Sequence, residues 1–234
     1  MLSMKEFLLN LFFPPFCIFC KKEGSYLCQD CFSFFDIQPH NLCLCDKPNI
    51  LPYPGKCKKC QRKNLAGLYF ALPYQNFFTK KIIQQFKYDP QVKGLAKSLA
   101  SFIIAYFHLA EKPFTPLHNS IVIPIPLTEK KKRRRGFNQA EEIAKELVPF
   151  SQTQLVTDSL IKVKETPIQM ELSGRERLTT QKGAFSTQNE EKIKGRKVFL
   201  VDDVYTTGAT MEECAKVLKT AGAKEVWGIA VARG

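Results

Sequence analysis

Two sets of residues in this chain have the types and spacing for chemistry. The first is residues 198–210, Val-Phe-Leu-Val-Asp-Asp-Val-Tyr-Thr-Thr-Gly-Ala-Thr, an apolar run that closes in two acids and a hydroxyl-rich turn. Ionised Asp202 and Asp203 only accept hydrogen bonds, which suits the 2′ and 3′ hydroxyls of a ribose, or a metal bound to it. Thr206, Thr207 and Thr210 add hydroxyls, Gly208 permits close backbone approach, and residues 211–221, followed by Gly222, have helical apolar spacing. Free N–H groups and the positive dipole end of that helix suit a phosphate dianion, so the segment predicts a site for a phosphorylated sugar. The competing reading is an ordinary strand-to-helix turn whose Asp and Thr only cap the helix. Acids, Thr-Thr-Gly and a further Thr together after a wholly apolar strand favour the site.

The second set is cysteine. Eight of the nine cysteines fall as Cys17-x-x-Cys20, Cys28-x-x-Cys31, Cys43-x-Cys45 and Cys57-x-x-Cys60. A Cys-x-x-Cys turn presents two thiolates to one tetrahedral ion and two such turns close a four-cysteine site, so the segment reads as a zinc ribbon with one or two structural zinc ions. The single residue between Cys43 and Cys45 departs from this pattern, and spacing leaves open whether neighbouring or alternating pairs share an ion. Short, Pro-rich and poor in core residues, the segment would draw its folding free energy from metal. A disulfide framework is the alternative, and the lack of a convincing export signal weighs against it. Cys214, on the helix after the turn, reads as a small buried apolar residue.

A third feature is electrostatic. Lys130 to Arg135 is an unbroken run of six basic residues leading into Gly136-Phe137-Asn138-Gln139. It reads either as a solvated loop or, because it follows a strand end in an open α/β sheet, as a ligand-binding segment. Arg133, Arg134 and Arg135, with Lys87, would neutralise a pyrophosphate; with Phe137 they would equally suit single-stranded DNA, phosphates on the arginines and a base on the ring.

The elements that must position these residues follow from periodicity. Residues 198–201 lack polar alternation, as expected of a parallel strand covered on both faces and stopping at Asp202. Further strands are expected at 65–73, 121–127, 155–164 and 224–232, and helices at 74–88, 92–107 and 140–147. Phe77, Phe78, Ile82, Ile83 and Phe86 would share the buried side of the first helix. Residues 111–119 read as a loop, and the polar stretch 165–177 as a candidate lid. The expected fold is α/β, an open, mostly parallel sheet flanked by helices over residues 66–234, preceded by a Cys-rich zinc-ribbon module over residues 1–65.

The net charge of +13 and pI near 9.3 favour a polyanionic partner: nucleic acid, anionic lipid or phosphorylated ligands. No stretch reaches the ~18 apolar residues of a membrane span. Residues 1–16 imitate a signal peptide, but Asn10, Pro14 and Pro15 and the missing small-residue cleavage site argue against one. The chain is therefore expected in the cytoplasm, where its greasy N-terminal segment could touch the inner face of the membrane.

Residues 198–210 also resemble the phosphoribosyl-pyrophosphate (PRPP) motif of the type I phosphoribosyltransferases. That resemblance implies that Asp202 and Asp203 address the ribose hydroxyls, that Tyr205, Thr206, Thr207, Gly208, Ala209 and Thr210 cradle the 5′-phosphate, and that Mg2+ accompanies PRPP. If the site is active, the two acids are its catalytic positions, although nothing marks an acceptor. The wider order of segments, the cysteines, Phe86-Lys87-Tyr88, Pro124-Ile125-Pro126, Arg135-Gly-Phe-Asn-Gln139, Gln169 to Arg177, Gly183-Ala-Phe185 and Val201-Asp-Asp-Val-Tyr-Thr-Thr-Gly208, resembles the ComF family. The ComF resemblance implies a type I phosphoribosyltransferase-like domain and a role in natural transformation, handling incoming single-stranded DNA. It further implies competence-machinery partners such as a helicase-like translocase and a recombination mediator, and use of the PRPP pocket for something other than turnover.

Overall fold

The computed structural model describes residues 12–88, 92–110, 120–165 and 181–234. In its cysteine-rich segment, helix α1 (Gln29–Phe32) carries Cys31, and strands β1 (Asn41–Leu42) and β2 (Ile50–Leu51) form a short hairpin. Then come β3 (Leu68–Pro73), α2 (Phe77–Lys87), α3 (Leu95–Leu109), β4 (Ile121–Pro124), α4 (Glu129–Arg135), α5 (Gln139–Ser151) and β5 (Gln154–Leu155). Strands β6 (Leu160–Lys162) and β7 (Phe185–Thr187), β8 (Lys197–Tyr205), α6 (Ala209–Thr220) and β9 (Glu225–Arg233) complete the chain. The main sheet has the order β3-β9-β8-β4-β5 with every neighbouring pair parallel, while β6 and β7 pair antiparallel beside it.

The central strand β8 explains the rest. Successive side chains of a strand point to opposite faces. Phe199 and Val201 enter one apolar cluster with residues of α2, α3 and α5; Val198 and Leu200 enter a second with Met211, Cys214, Ala215 and Leu218 of α6. Both faces are buried, hence the absence of polar alternation. The cysteines divide the same way. Cys17, Cys28 and Cys31 join the first cluster, where Phe32 stacks on Phe102 at 4.5 Å, and Cys43 and Cys60 join the second.

Several expectations change in detail. β8 does not stop at Asp202: its ladder with β9 continues through Asp202↔Ala230 to Tyr205↔Arg233, because β9 is long enough to partner it. The basic run is not a loop but helix α4, started by Thr128, whose Oγ1 accepts the Lys131 N–H, and ended by Gly136 at φ 71°. α2 begins at Phe77, since the Asn76 side chain accepts from the N–H groups of Phe78 and Thr79, and this leaves Phe77 68% exposed instead of in the core. The strand expected at 155–164 divides into β5 on the main sheet and β6 in the side hairpin. The loop at 111–119, most of the lid at 165–177 and residues 1–11 of the N-terminal segment lie outside the described residues.

Among the described residues no helix is long and apolar enough to cross a membrane. Phe102 is fully buried between the rings of Phe32 and Phe35 and the sheet-facing cluster. Phe102→Ala is expected to cost about 3–5 kcal/mol in urea unfolding, because it opens a cavity and separates the first cysteine group from α3.

Candidate functional site

A cavity of about 220 Å³ lies beyond the carboxyl ends of β3, β4 and β8, where open α/β sheets take ligands. Its floor is acidic. Asp203 is 7% exposed and pairs with Lys87 Nζ, at the end of α2, at 2.7 Å. The Asp203 N–H donates to Asp202 Oδ1 at 2.9 Å. Burial, and then the Asp203 charge, push the Asp202 carboxyl up to about 7 against the opposing pull of Lys87 and Lys162. Burial acts to lower the Lys87 ammonium, but the charges of Asp203 and Asp202 and the hydrogen bond to Asp203 outweigh it and raise it overall.

The opposite wall is basic. Lys131, Arg134 and Arg135 of α4 and Lys162 of β6 line it with Tyr88 and Gln139. Arg135 donates to Gln139 Oε1 at 3.0 Å and sits 5.6 Å from the Tyr88 ring centroid. Gln139 is 2% exposed, and among the described residues its Nε2 lacks a hydrogen-bond partner, as does Arg135 Nε: two buried donors in a positively charged wall. Burial, reinforced by Lys131, lowers the Lys162 ammonium to about 8. Lys131 is also lowered, by burial and then by Arg135.

The turn between β8 and α6 closes the third side with Thr206 and Thr210. Gly208 has φ 75°, and a Cβ there would meet Tyr205 Oη at 2.2 Å, so only glycine fits. It precedes α6, whose first-turn N–H groups supply the anion-binding end of a 12-residue helix. Thr207 Oγ1 accepts the Ala209 N–H at 3.4 Å.

The structure thus brings Asp202, Asp203, Thr206, Thr210, Lys87, Arg134 and Arg135 to one cavity. It does not bring them all. Arg133 is exposed outside the wall. Tyr205 turns to the far face of the sheet, 3% exposed in the second cluster, while Gly208 and Ala209 contribute buried backbone. Phe137 is 9% exposed and packs on Phe86 at 5.5 Å, so its ring is not offered to a base. Its neighbours are structural too: Asn138 donates to the Ile125 carbonyl and accepts the Ala140 N–H at the start of α5. Lys131, Lys162 and Gln139 are pocket residues that the sequence reading did not single out; Lys162 shares its side of the strand with buried Leu160, while Ile161 and Val163, the expected apolar face, are half-buried and exposed.

The cysteines form two groups, Cys17, Cys20, Cys28 and Cys31, and Cys43, Cys45, Cys57 and Cys60, each with all four sulfurs within 4.8 Å of one another. Neighbouring pairs share a group, and the tighter Cys43-x-Cys45 spacing is no obstacle. Zn–S bonds of ~2.3 Å in a tetrahedron set sulfurs about 3.8 Å apart; Cys20–Cys28 and Cys45–Cys57 lie at 3.5 Å and Cys57–Cys60 at 3.7 Å. The donor set and geometry fit zinc at both groups. Two zinc ions per chain are expected by elemental analysis, falling to one in Cys28→Ser with Cys31→Ser.

The raised Asp202 carboxyl also fixes a pH dependence. A folded pKa above the unfolded value means that the native state binds the extra proton, so stability falls as pH rises from about 4 through about 7. Asp202→Asn is expected to stabilise the free protein, by roughly 1–3 kcal/mol at pH 8 and by less at pH 5, in thermal unfolding.

A family model described as phosphoribosyl transferase domain matches residues 133–233, which holds most of the cavity. Competence protein F of Haemophilus influenzae is 33% identical over 152 residues, 64% of this chain and 66% of that protein. DNA utilization protein YhgH of Escherichia coli O157:H7 is 35% identical over 108 residues, 45% of this chain and 47% of that protein. Competence protein ComFC of Streptococcus pneumoniae is 30% identical over 210 residues, 88% of this chain and 87% of that protein; the chain belongs to the ComF/ComFC family.

Proposed function

We propose that this protein is a DNA-uptake factor that handles incoming single-stranded DNA in the cytoplasm and binds PRPP with Mg2+ in the cavity. The observation that carries the ligand half is the division of the cavity by charge. A carboxylate pair stands beside the N-terminus of α6, and a separate basic wall of Lys131, Arg134, Arg135 and Lys162 faces it. In this reading Asp202 and Asp203 accept from the ribose hydroxyls, Thr206, Thr210 and the α6 amides hold the 5′-phosphate, and the basic wall with the spare Gln139 donor takes the pyrophosphate. The competence and DNA-utilization names of the relatives support the cellular half, as does the charge of +13. A helicase-like translocase and a recombination mediator are the proposed partners, and contact with the inner membrane face is proposed for the apolar N-terminal segment.

Calorimetry tests the ligand: PRPP with Mg2+ should bind, and Asp202→Asn with Asp203→Asn should weaken it at least ~10-fold, since each lost charged hydrogen bond is worth about 1.5–3 kcal/mol. No heat and no thermal shift with wild type would refute it. Single-stranded DNA should bind with a log–log salt slope near −0.7 per phosphate contacted. Changing exposed Lys132 and Arg133 to Ala should flatten that slope; a slope unmoved would place the DNA elsewhere.

The separate basic wall also favours a second reading, an active phosphoribosyltransferase, because it gives a departing pyrophosphate a station of its own. Release of pyrophosphate from PRPP in the presence of an acceptor, abolished by the double Asn variant, would establish it.

A further inference from the structure

β9 ends in Arg233, a residue only 8% exposed, whose guanidinium has no carboxylate at ion-pair distance among the described residues. It donates to two carbonyls, those of Cys43 and Cys45, each at 2.8 Å. It also lies against two ring faces, Tyr205 at 5.4 Å and Phe70 at 5.7 Å. Tyr205 is the residue whose hydroxyl backs Gly208, and its carbonyl accepts the Gly234 N–H at 2.9 Å. A second tie runs parallel: Glu212, in the first turn of α6, accepts from the backbone and side chain of Asn64 and from the Leu65 N–H, just past Cys57 and Cys60. The turn at 206–210 therefore has the cavity on one side and the second cysteine group on the other.

Two carbonyls, two rings and the Asp46 carboxylate beyond ion-pair distance leave a buried guanidinium short of close countercharge, which is costly. Four thiolates around a divalent zinc carry a formal charge of about −2. Metal binding fixes all four cysteines as thiolates, so a loaded second centre supplies what Arg233 lacks more fully than an empty one. We infer that Arg233 is a positioning residue that couples zinc occupancy of the Cys43, Cys45, Cys57 and Cys60 centre to the shape of the 206–210 turn. Zinc there draws Arg233 toward the centre, Arg233 holds the Tyr205 ring, and the ring sets the backbone at Gly208. The coupling is a property of the chain alone; its effect on PRPP rests on the reading of the cavity given above.

The test uses the full chain loaded with zinc, wild type against Arg233→Met and Arg233→Lys. Outer partners of zinc ligands are worth 10–100-fold in metal affinity. Arg233→Met should therefore release one of its zinc equivalents to a chelator at least ~10-fold more readily, and amide hydrogen exchange at 206–210 should rise; Arg233→Lys should fall between. Cys28→Ser with Cys31→Ser, which removes the first centre, should leave exchange at 206–210 unchanged. Chelating the remaining zinc in that variant should raise it, and this arm does not depend on how well Arg233→Met folds. Unchanged exchange after that chelation, or in Arg233→Met with faster zinc release, overturns the coupling. Exchange that responds as expected in a protein giving no heat with PRPP removes the ligand reading and leaves the coupling; PRPP binding equal in wild type and Arg233→Met, with exchange unmoved, does the reverse.

Discussion

Strand β8 is covered on both faces and yet delivers two carboxylates at its end. A parallel strand in this position tolerates no charge where its side chains are sandwiched, so the acids can stand only beyond the helices, over the cavity. Even there they are poorly solvated. Lys87 answers one of them, forming with Asp203 a pair whose loss on either side would strand a buried charge. Asp202 has no such partner within ion-pair distance among the described residues, and its carboxyl rises to about 7 through burial and its proximity to Asp203. The free cavity thus holds one satisfied acid and one that gains from a ligand bearing hydroxyl donors.

The basic wall is strained in the opposite sense. Lys131 and Lys162 both sit below the ordinary lysine range, because burial and neighbouring cations disfavour their charge. Clustered cations with spare donors on Gln139 and Arg135 are destabilising in an empty cavity and favourable around an anion. The same charges that cost stability in the free protein are therefore available as binding energy for a polyanionic ligand, the trade expected at a functional site.

The sheet, the main helices, the cysteine pairs and the acidic turn were legible in the sequence because each is a local pattern: an apolar run, a helical spacing, a pair of close-spaced cysteines, or acids next to Thr-Thr-Gly; which pairs share a group was not, because that is set by the fold. What was not legible depends on where a side chain points. Phe137 beside three arginines looks like a stacking ring, but Gly136 turns the chain at φ 71° and Phe137 drops onto Phe86. Tyr205 lies within the turn, yet its ring packs in the second cluster with Val198 and Leu200, although simple alternation along β8 would place it with Phe199 and Val201. Lys162 comes from a segment with no charge run or motif of its own, and Gln139, though it closes the Arg135-Gly-Phe-Asn-Gln139 segment, is uncharged and shows its role only once the topology brings it to the cavity. Arg233 could not be read at all, since its partners lie 188 and 190 residues earlier.

Helical winding of the basic run has a consequence that a loop would not. At 3.6 residues per turn, consecutive basic residues point around the whole circumference. Lys131, Arg134 and Arg135 face the cavity while Lys132 and Arg133 face solvent, so one short helix lines the small-ligand site and presents cations outward. If DNA lies on the outer side, as proposed, the polymer and the cavity ligand share α4 as a common wall, held by the Thr128 cap and by Arg135 on Gln139. Any shift of α4 that tightens one contact moves the other. By linkage, each ligand must then alter the affinity of the other by the same factor, which makes the salt dependence of DNA binding, with the cavity filled and empty, a direct measure of how rigidly α4 joins the two.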